Sequence, residues 1–148
     1  MAVLSLLATG CGGTVDVDAP TPEGADAKAC AALVDALPDH VDDQPRRRTD
    51  PEDRYVAAWG DPPIVLRCGV PRPGALTPTA VCQVANGVGW FIPESQMQGK
   101  PTDITMTTVG RAQYVEVRLP VDYWPPAAAM VDLAPAIKRT VREVRPCL

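Results

Sequence analysis

The sequence predicts an α+β domain: an antiparallel sheet of about five strands, with N- and C-terminal helices packed on one face. Three observations lead there. Apolar residues recur at helical spacing only near the two ends of the chain, while the middle alternates with a period of two. Seventeen prolines in 148 residues work against long helices. A hydrophobic fraction of 46% supplies one core for a chain of single-domain length.

From Ala25 to Leu37, the residues Cys30, Leu33, Val34 and Leu37 follow i, i+3, i+4, i+7, a helical stripe that buries Cys30 and ends at Pro38. Asp39 to Thr49 then reads as a charged loop. A short helix is expected to start at Asp50, which can cap free backbone N–H groups, with Pro51 in the first helical position, Glu52 and Asp53 complementing the dipole and Gly60 as its stop. Ile64 to Val70 alternates as a half-buried strand. Val81 to Ala85 and Val88 to Ile92 flank Asn86-Gly87, a pair suited to a two-residue hairpin because both turn residues need positive φ. Ile104 to Val109 and Ala112 to Leu119 form a second hairpin about Gly110. Pro125 and Pro126 open a last helix with the stripe Met130, Leu133, Ala134, Ile137, Val141 and Val144, which Pro135 is expected to kink or divide.

The amino terminus carries a different signal. Met1 to Gly10 is apolar and uncharged and leads into Leu7-Ala8-Thr9-Gly10-Cys11, the small-residue spacing that precedes a lipid-modified cysteine. Residues 1–10 therefore read as a signal peptide whose basic start lies upstream of Met1, and Cys11 as the lipidation site. Gly12 to Gly24 is rich in Gly, Pro, Asp and Thr, so residues 11–24 are expected to be a flexible tether of about 20 Å as a coil or about 45 Å drawn out. Residues 25–148 remain as a single α+β domain.

Net charge is −4, which is no electrostatic match for nucleic acid. The acidic excess is concentrated between Cys11 and Pro45, whereas Arg46 to Leu148 carries a net +3. Of five cysteines, Cys11 goes to lipid and four remain: Cys30, Cys68, Cys82 and Cys147. They contain no CxxC, and with one histidine they do not resemble a zinc site, so two disulfides outside the cytoplasm are expected. Placing Cys68 and Cys82 on consecutive strands, and Cys30 and Cys147 in or beside the terminal helices, predicts the bridges Cys68–Cys82 and Cys30–Cys147. The longer of these would close about 117 residues and stabilise by roughly 4 to 5 kcal/mol.

The segments Trp59-Gly60-Asp61-Pro62-Pro63-Ile64-Val65-Leu66-Arg67-Cys68-Gly69-Val70-Pro71-Arg72-Pro73, Asn86-Gly87-Val88-Gly89-Trp90 and Gly110-Arg111-Ala112-Gln113-Tyr114-Val115-Glu116-Val117 resemble the actinobacterial family of exported proteins catalogued as domain of unknown function 3515. The likeness covers roughly Cys30 to Leu148. It implies a secreted or lipid-anchored cell-envelope protein and transfers no activity.

Candidate sites are few. The sequence has no GxSxG, and its only histidine lies in Asp39-His40-Val41-Asp42-Asp43, where adjacent groups on a loop seldom converge on one ion; a solvated acidic loop is expected, with no metal and no cofactor. Arg46-Arg47-Arg48 could meet anionic head groups at roughly 1 kcal/mol per charge, although a solvated loop is the plainer expectation. Trp59, Asp61, Arg67, Trp90, Arg111 and Tyr114 form the candidate ligand- or partner-binding cluster, since polar and aromatic groups at strand ends can hold anions or sugars. Against that stands a structural role, with Asp61 paired to Arg67 or Arg111 and the Trp rings closing the core. The leading expectation is a non-enzymatic envelope lipoprotein, anchored at the outer face of the cytoplasmic membrane, that serves an unknown envelope protein as an interaction or accessory module. The alternative is a binding module for a small anionic or glycan ligand.

Overall fold

The computed structural model describes residues 13–147, so the signal peptide and Cys11 lie outside the described residues. In chain order the elements are β1 (Val15–Asp16), α1 (Gly24–Ala36), β2 (His40–Val41), β3 (Gln44–Arg47), β4 (Thr49–Asp50), β5 (Val56–Trp59), β6 (Ile64–Cys68), β7 (Gln83–Ala85), β8 (Val88–Phe91), β9 (Ile104–Val109), β10 (Val115–Leu119) and α2 (Ala127–Thr140). Two short 3-10 turns, Glu94–Gln96 and Val121–Tyr123, complete the set.

The class is α+β, but the sheet has eight strands rather than about five. Its order is β2-β3-β5-β6-β10-β9-β8-β7, with every pair antiparallel, and a second small sheet pairs β1 with β4 in parallel. The three additional strands come from segments that the sequence assigns elsewhere. β2 and β3 occupy the expected charged loop. They are joined by Asp42-Asp43, both at positive φ (49° and 59°), a type I′-like turn that carries neither Asn nor Gly. β5 replaces the expected short helix, because Val56-Ala57-Ala58-Trp59 is buried on both faces and an apolar run that short suits a buried strand as well as a helix.

One core lies between the sheet and the helices. Trp59, Leu66, Val117, Met106 and Trp90 point toward α1 and α2, and Leu33, Leu133 and Ile137 fill the space from the helical side, all fully buried. α1 has no side-chain cap. Leu37 is held extended (φ −66°, ψ 146°), as expected of a residue before proline, and the helix stops there. α2 runs uninterrupted through Pro135, so that proline does not divide the helix. Lys138 and Arg139 complement its C-terminal end. Val144 is exposed and lies off the stripe.

The stretch expected to be a free tether is fastened to the body from residue 13 onward. Arg47 Nη2 donates to the Gly13 carbonyl at 2.6 Å, Val15 N to Arg48 O at 2.9 Å and Val17 N to Asp50 O at 3.0 Å. Farther along, Arg67 Nη1 donates to the Asp18 carbonyl at 2.9 Å and pairs with its carboxylate at 3.1 Å. Pro22 presses on Gly69, which sits at φ +85° and has no room for a Cβ: one built there would lie 2.7 Å from the proline ring. Gly- and Pro-rich composition signals lack of periodicity, and docking by backbone hydrogen bonds needs none.

The disulfides also differ from the expected pairs. They join Cys30 to Cys68 (Cα–Cα 5.3 Å) and Cys82 to Cys147 (Cα–Cα 6.2 Å). Although β6 and β7 are consecutive in sequence, the chain carries β7 to the far edge, and β10, β9 and β8 stand between them. Cys68 therefore meets Cys30 on the buried face of α1. Cys147 reaches Cys82 because the tail after α2 returns past the second hairpin, where Val144 N and Arg145 N both donate to Gly110 O.

Candidate functional site

The six residues of the expected cluster are dispersed. Trp59 and Trp90 are fully buried and face the helices. Trp59 Nε1 donates to Pro38 O at 3.0 Å and its ring lies under the Arg46 guanidinium at 5.7 Å, whereas Trp90 Nε1 finds no partner among the described residues. Arg67 points to the opposite face of the sheet. There its register partner Glu116 bonds it at 3.1 Å and Arg118 bonds the same carboxylate oxygen at 3.1 Å.

Asp61 is exposed in the β5–β6 turn and pairs with neither arginine. Tyr123 holds that turn by donating its hydroxyl to Pro62 O at 2.7 Å; burial, then the Asp122 carboxylate, raises its phenol above the ordinary value, so it remains a donor. Tyr114 contributes its backbone carbonyl to Gly69 N at 3.0 Å.

Arg111 is the structural member of the set. Its side chain is only 4% exposed, and it donates to Val141 O at 2.8 Å and Gly87 O at 3.1 Å and contacts Glu143 at 3.4 Å. It thereby ties the end of α2 and the Asn86-Gly87 turn to the β9–β10 hairpin. A helix C-terminus has carbonyls without intrahelical donors, and a guanidinium can satisfy two carbonyls at once. A site built from all six residues has no common surface.

His40 is exposed on β2. Beside it the Asp42 amide donates to Asp132 Oδ2 at 2.9 Å, and burial, then Asp43 and Asp132, raises the Asp42 carboxyl above its ordinary value. Among the described residues no group of three or more His, Cys, Asp or Glu is placed to hold a metal ion.

Two surface clefts stand outside the expected cluster. The first, of about 610 Å³, lies along the β7 end of the sheet and is lined by Ala80, Val81, Gln83, Phe91, Ile92, Glu94 and Met97, among others. β7 is an edge strand paired only with β8. Val81 is 82% exposed and Val84 62%, so apolar side chains flank unpaired main-chain groups. The run Val81 to Ala85 was legible as one arm of the Asn86-Gly87 hairpin, and the strand order puts it at the edge.

The second cleft, of about 680 Å³, lies between α1 and the strands at the other end of the sheet and includes Arg46, Arg47, Arg48 and Arg54. Arg46-Arg47-Arg48 was visible in the sequence, but Arg54 joins it only through the path of the chain after β4. No helix among the described residues is long and apolar enough to cross a membrane.

Comparisons with curated proteins and with solved structures return no match. A family model described as "Protein of unknown function (DUF3515)" matches residues 9–146, nearly the whole of the fold described above, and the chain belongs to that family.

Proposed function

We propose that this protein is a lipid-anchored component of the cell envelope, without catalytic activity of its own, that docks another protein at the outer face of the cytoplasmic membrane. Its two disulfides fit an oxidising, extracytoplasmic compartment. The observation that carries the interaction role is the β7 edge: an open strand bearing exposed Val84, preceded by exposed Val81, beside a cleft of mixed polar and apolar lining. Such an edge accepts an extended segment by main-chain pairing, and the adjoining cleft can take its side chains.

Site-specific photocrosslinking in native membranes tests this. A photoreactive residue at position 84 should give one discrete protein adduct that a probe at Asp61 does not give. The adduct should disappear in the Val81→Asp variant. The same adducts from both positions, or none from position 84, would refute the role of this edge.

A further inference from the structure

The attachment of residue 13 has a geometric consequence for an anchor at Cys11. Gly13 is hydrogen-bonded to Arg47, and β1 pairs with β4 in the register Val15↔Thr49. Two residues of chain reach at most about 7 Å, so a lipid on Cys11 would enter the bilayer beside β3 and β4 instead of at the end of a long leash.

The arginine cleft lies at the same place. Two of its arginines are committed to the fold: Arg47 bonds Gly60 O at 2.7 Å as well as Gly13 O, and Arg46 lies over Trp59 and donates to Val34 O at 3.3 Å. Arg48 and Arg54 are exposed, and among the described residues neither forms an ion pair or a side-chain hydrogen bond. Asp35, Glu52 and Asp53 also line the cleft, so its four arginines leave it one positive charge in excess. Two free guanidinium groups thus stand beside the exit of the anchored chain.

We propose that this cleft faces the bilayer and docks on the anionic phosphate head groups of the membrane that holds Cys11. The proposal rests on the lipid-anchor reading. A few charges are too weak to recruit a protein tightly by themselves, but an anchor that raises their effective concentration lets them set an orientation. In that orientation the β7 edge, six strand spacings from β3, stands about 29 Å farther from the head groups, where an envelope partner can approach it.

The test compares vesicles of phosphatidylglycerol and phosphatidylcholine with vesicles of phosphatidylcholine alone. At low ionic strength the Cys11→Ser chain should partition weakly but measurably onto the anionic vesicles, and less so as salt rises. Replacing Arg48 and Arg54 by Ala should weaken that partition about fivefold each and about 25-fold together, with an unchanged melting temperature. Equal partition on both vesicles, or indifference to the two substitutions, would overturn the docking face.

Intact mass of the protein extracted from native membranes tests the anchor separately. A lipidated chain whose Cys11→Ser form ignores both arginines keeps the anchor and overturns the docking face. An unlipidated chain that still binds anionic vesicles through them supports the docking face and removes the anchor.

Discussion

Replacing Arg111 by Leu should destabilise this domain measurably. The substitution removes the donors that satisfy Val141 O, at the end of α2, and Gly87 O, in the β7–β8 turn. A buried carbonyl left without a partner costs about 1 to 3 kcal/mol, which applies to Val141 O; Gly87 is exposed, and its carbonyl can turn to water. Arg111 Nε has no partner, so removing the guanidinium also relieves one buried, unpaired donor and holds the loss to about 1 to 2 kcal/mol. The contact with half-exposed Glu143 adds little. Urea unfolding of the oxidised chain measures the loss directly, and the melting temperature should fall by about 3 to 6 °C, at roughly 3 °C per kcal/mol. A loss below about 1 kcal/mol with an unchanged m-value would refute the reasoning and return Arg111 to the list of surface-binding residues.

Peptide mapping without reduction should recover Cys30–Cys68 and Cys82–Cys147 peptides. A mild reductant should open the second pair first, because Cys30 and Cys68 are fully buried. A Cys68–Cys82 peptide would contradict the strand order. Removing both cysteines of either bridge should lower stability by about 4 kcal/mol, since closed loops of 38 and 65 residues differ little on a logarithmic scale. Trp59→Phe should cost about 1 to 2 kcal/mol more than Trp90→Phe, because only the first strands a carbonyl acceptor while the second also removes an unpaired indole donor; equal losses in thermal unfolding would count against this.

Asp42→Asn with Asp43→Gly should raise the melting temperature, since both residues adopt the left-handed conformation that Asn and Gly tolerate best. The native Asp42 carboxyl titrates above its unfolded value, so the folded state binds its proton more tightly. Stability therefore rises as pH falls through the elevated native pKa toward the ordinary carboxylate value, and levels off below it. Asn at position 42 should flatten that slope, and an unaltered pH profile would show that Asp42 does not produce it.

Much of this molecule was legible in the sequence because it depends on local chemistry. The helical stripe with Cys30 inside it, the Asn86-Gly87 hairpin and the strand Ile104–Val109 all follow from period, turn residues and side-chain branching, and the structure has each of them. The five strands read from the sequence are present, Ile104–Val109 with the expected bounds and the other four shorter. The three further strands of the large sheet have no local signature. β2 and β3 are short and polar and exist because β5 offers an edge to pair with, while β5 is an apolar run whose period is hidden by burial on both sides.

Only the tertiary structure decided which distant groups meet. By carrying β7 to the far edge before the chain returns through β8, β9 and β10 to β6, it separates Cys68 from Cys82 and opens the β7 edge. It likewise brings Arg54 to Arg46-Arg47-Arg48 and fastens Gly13 beside them. Residue spacing determines which face of an element is apolar, because that is set within one or two turns. Which faces and edges come together depends on strand order, a global choice among pairings of similar local energy, and no single segment encodes it.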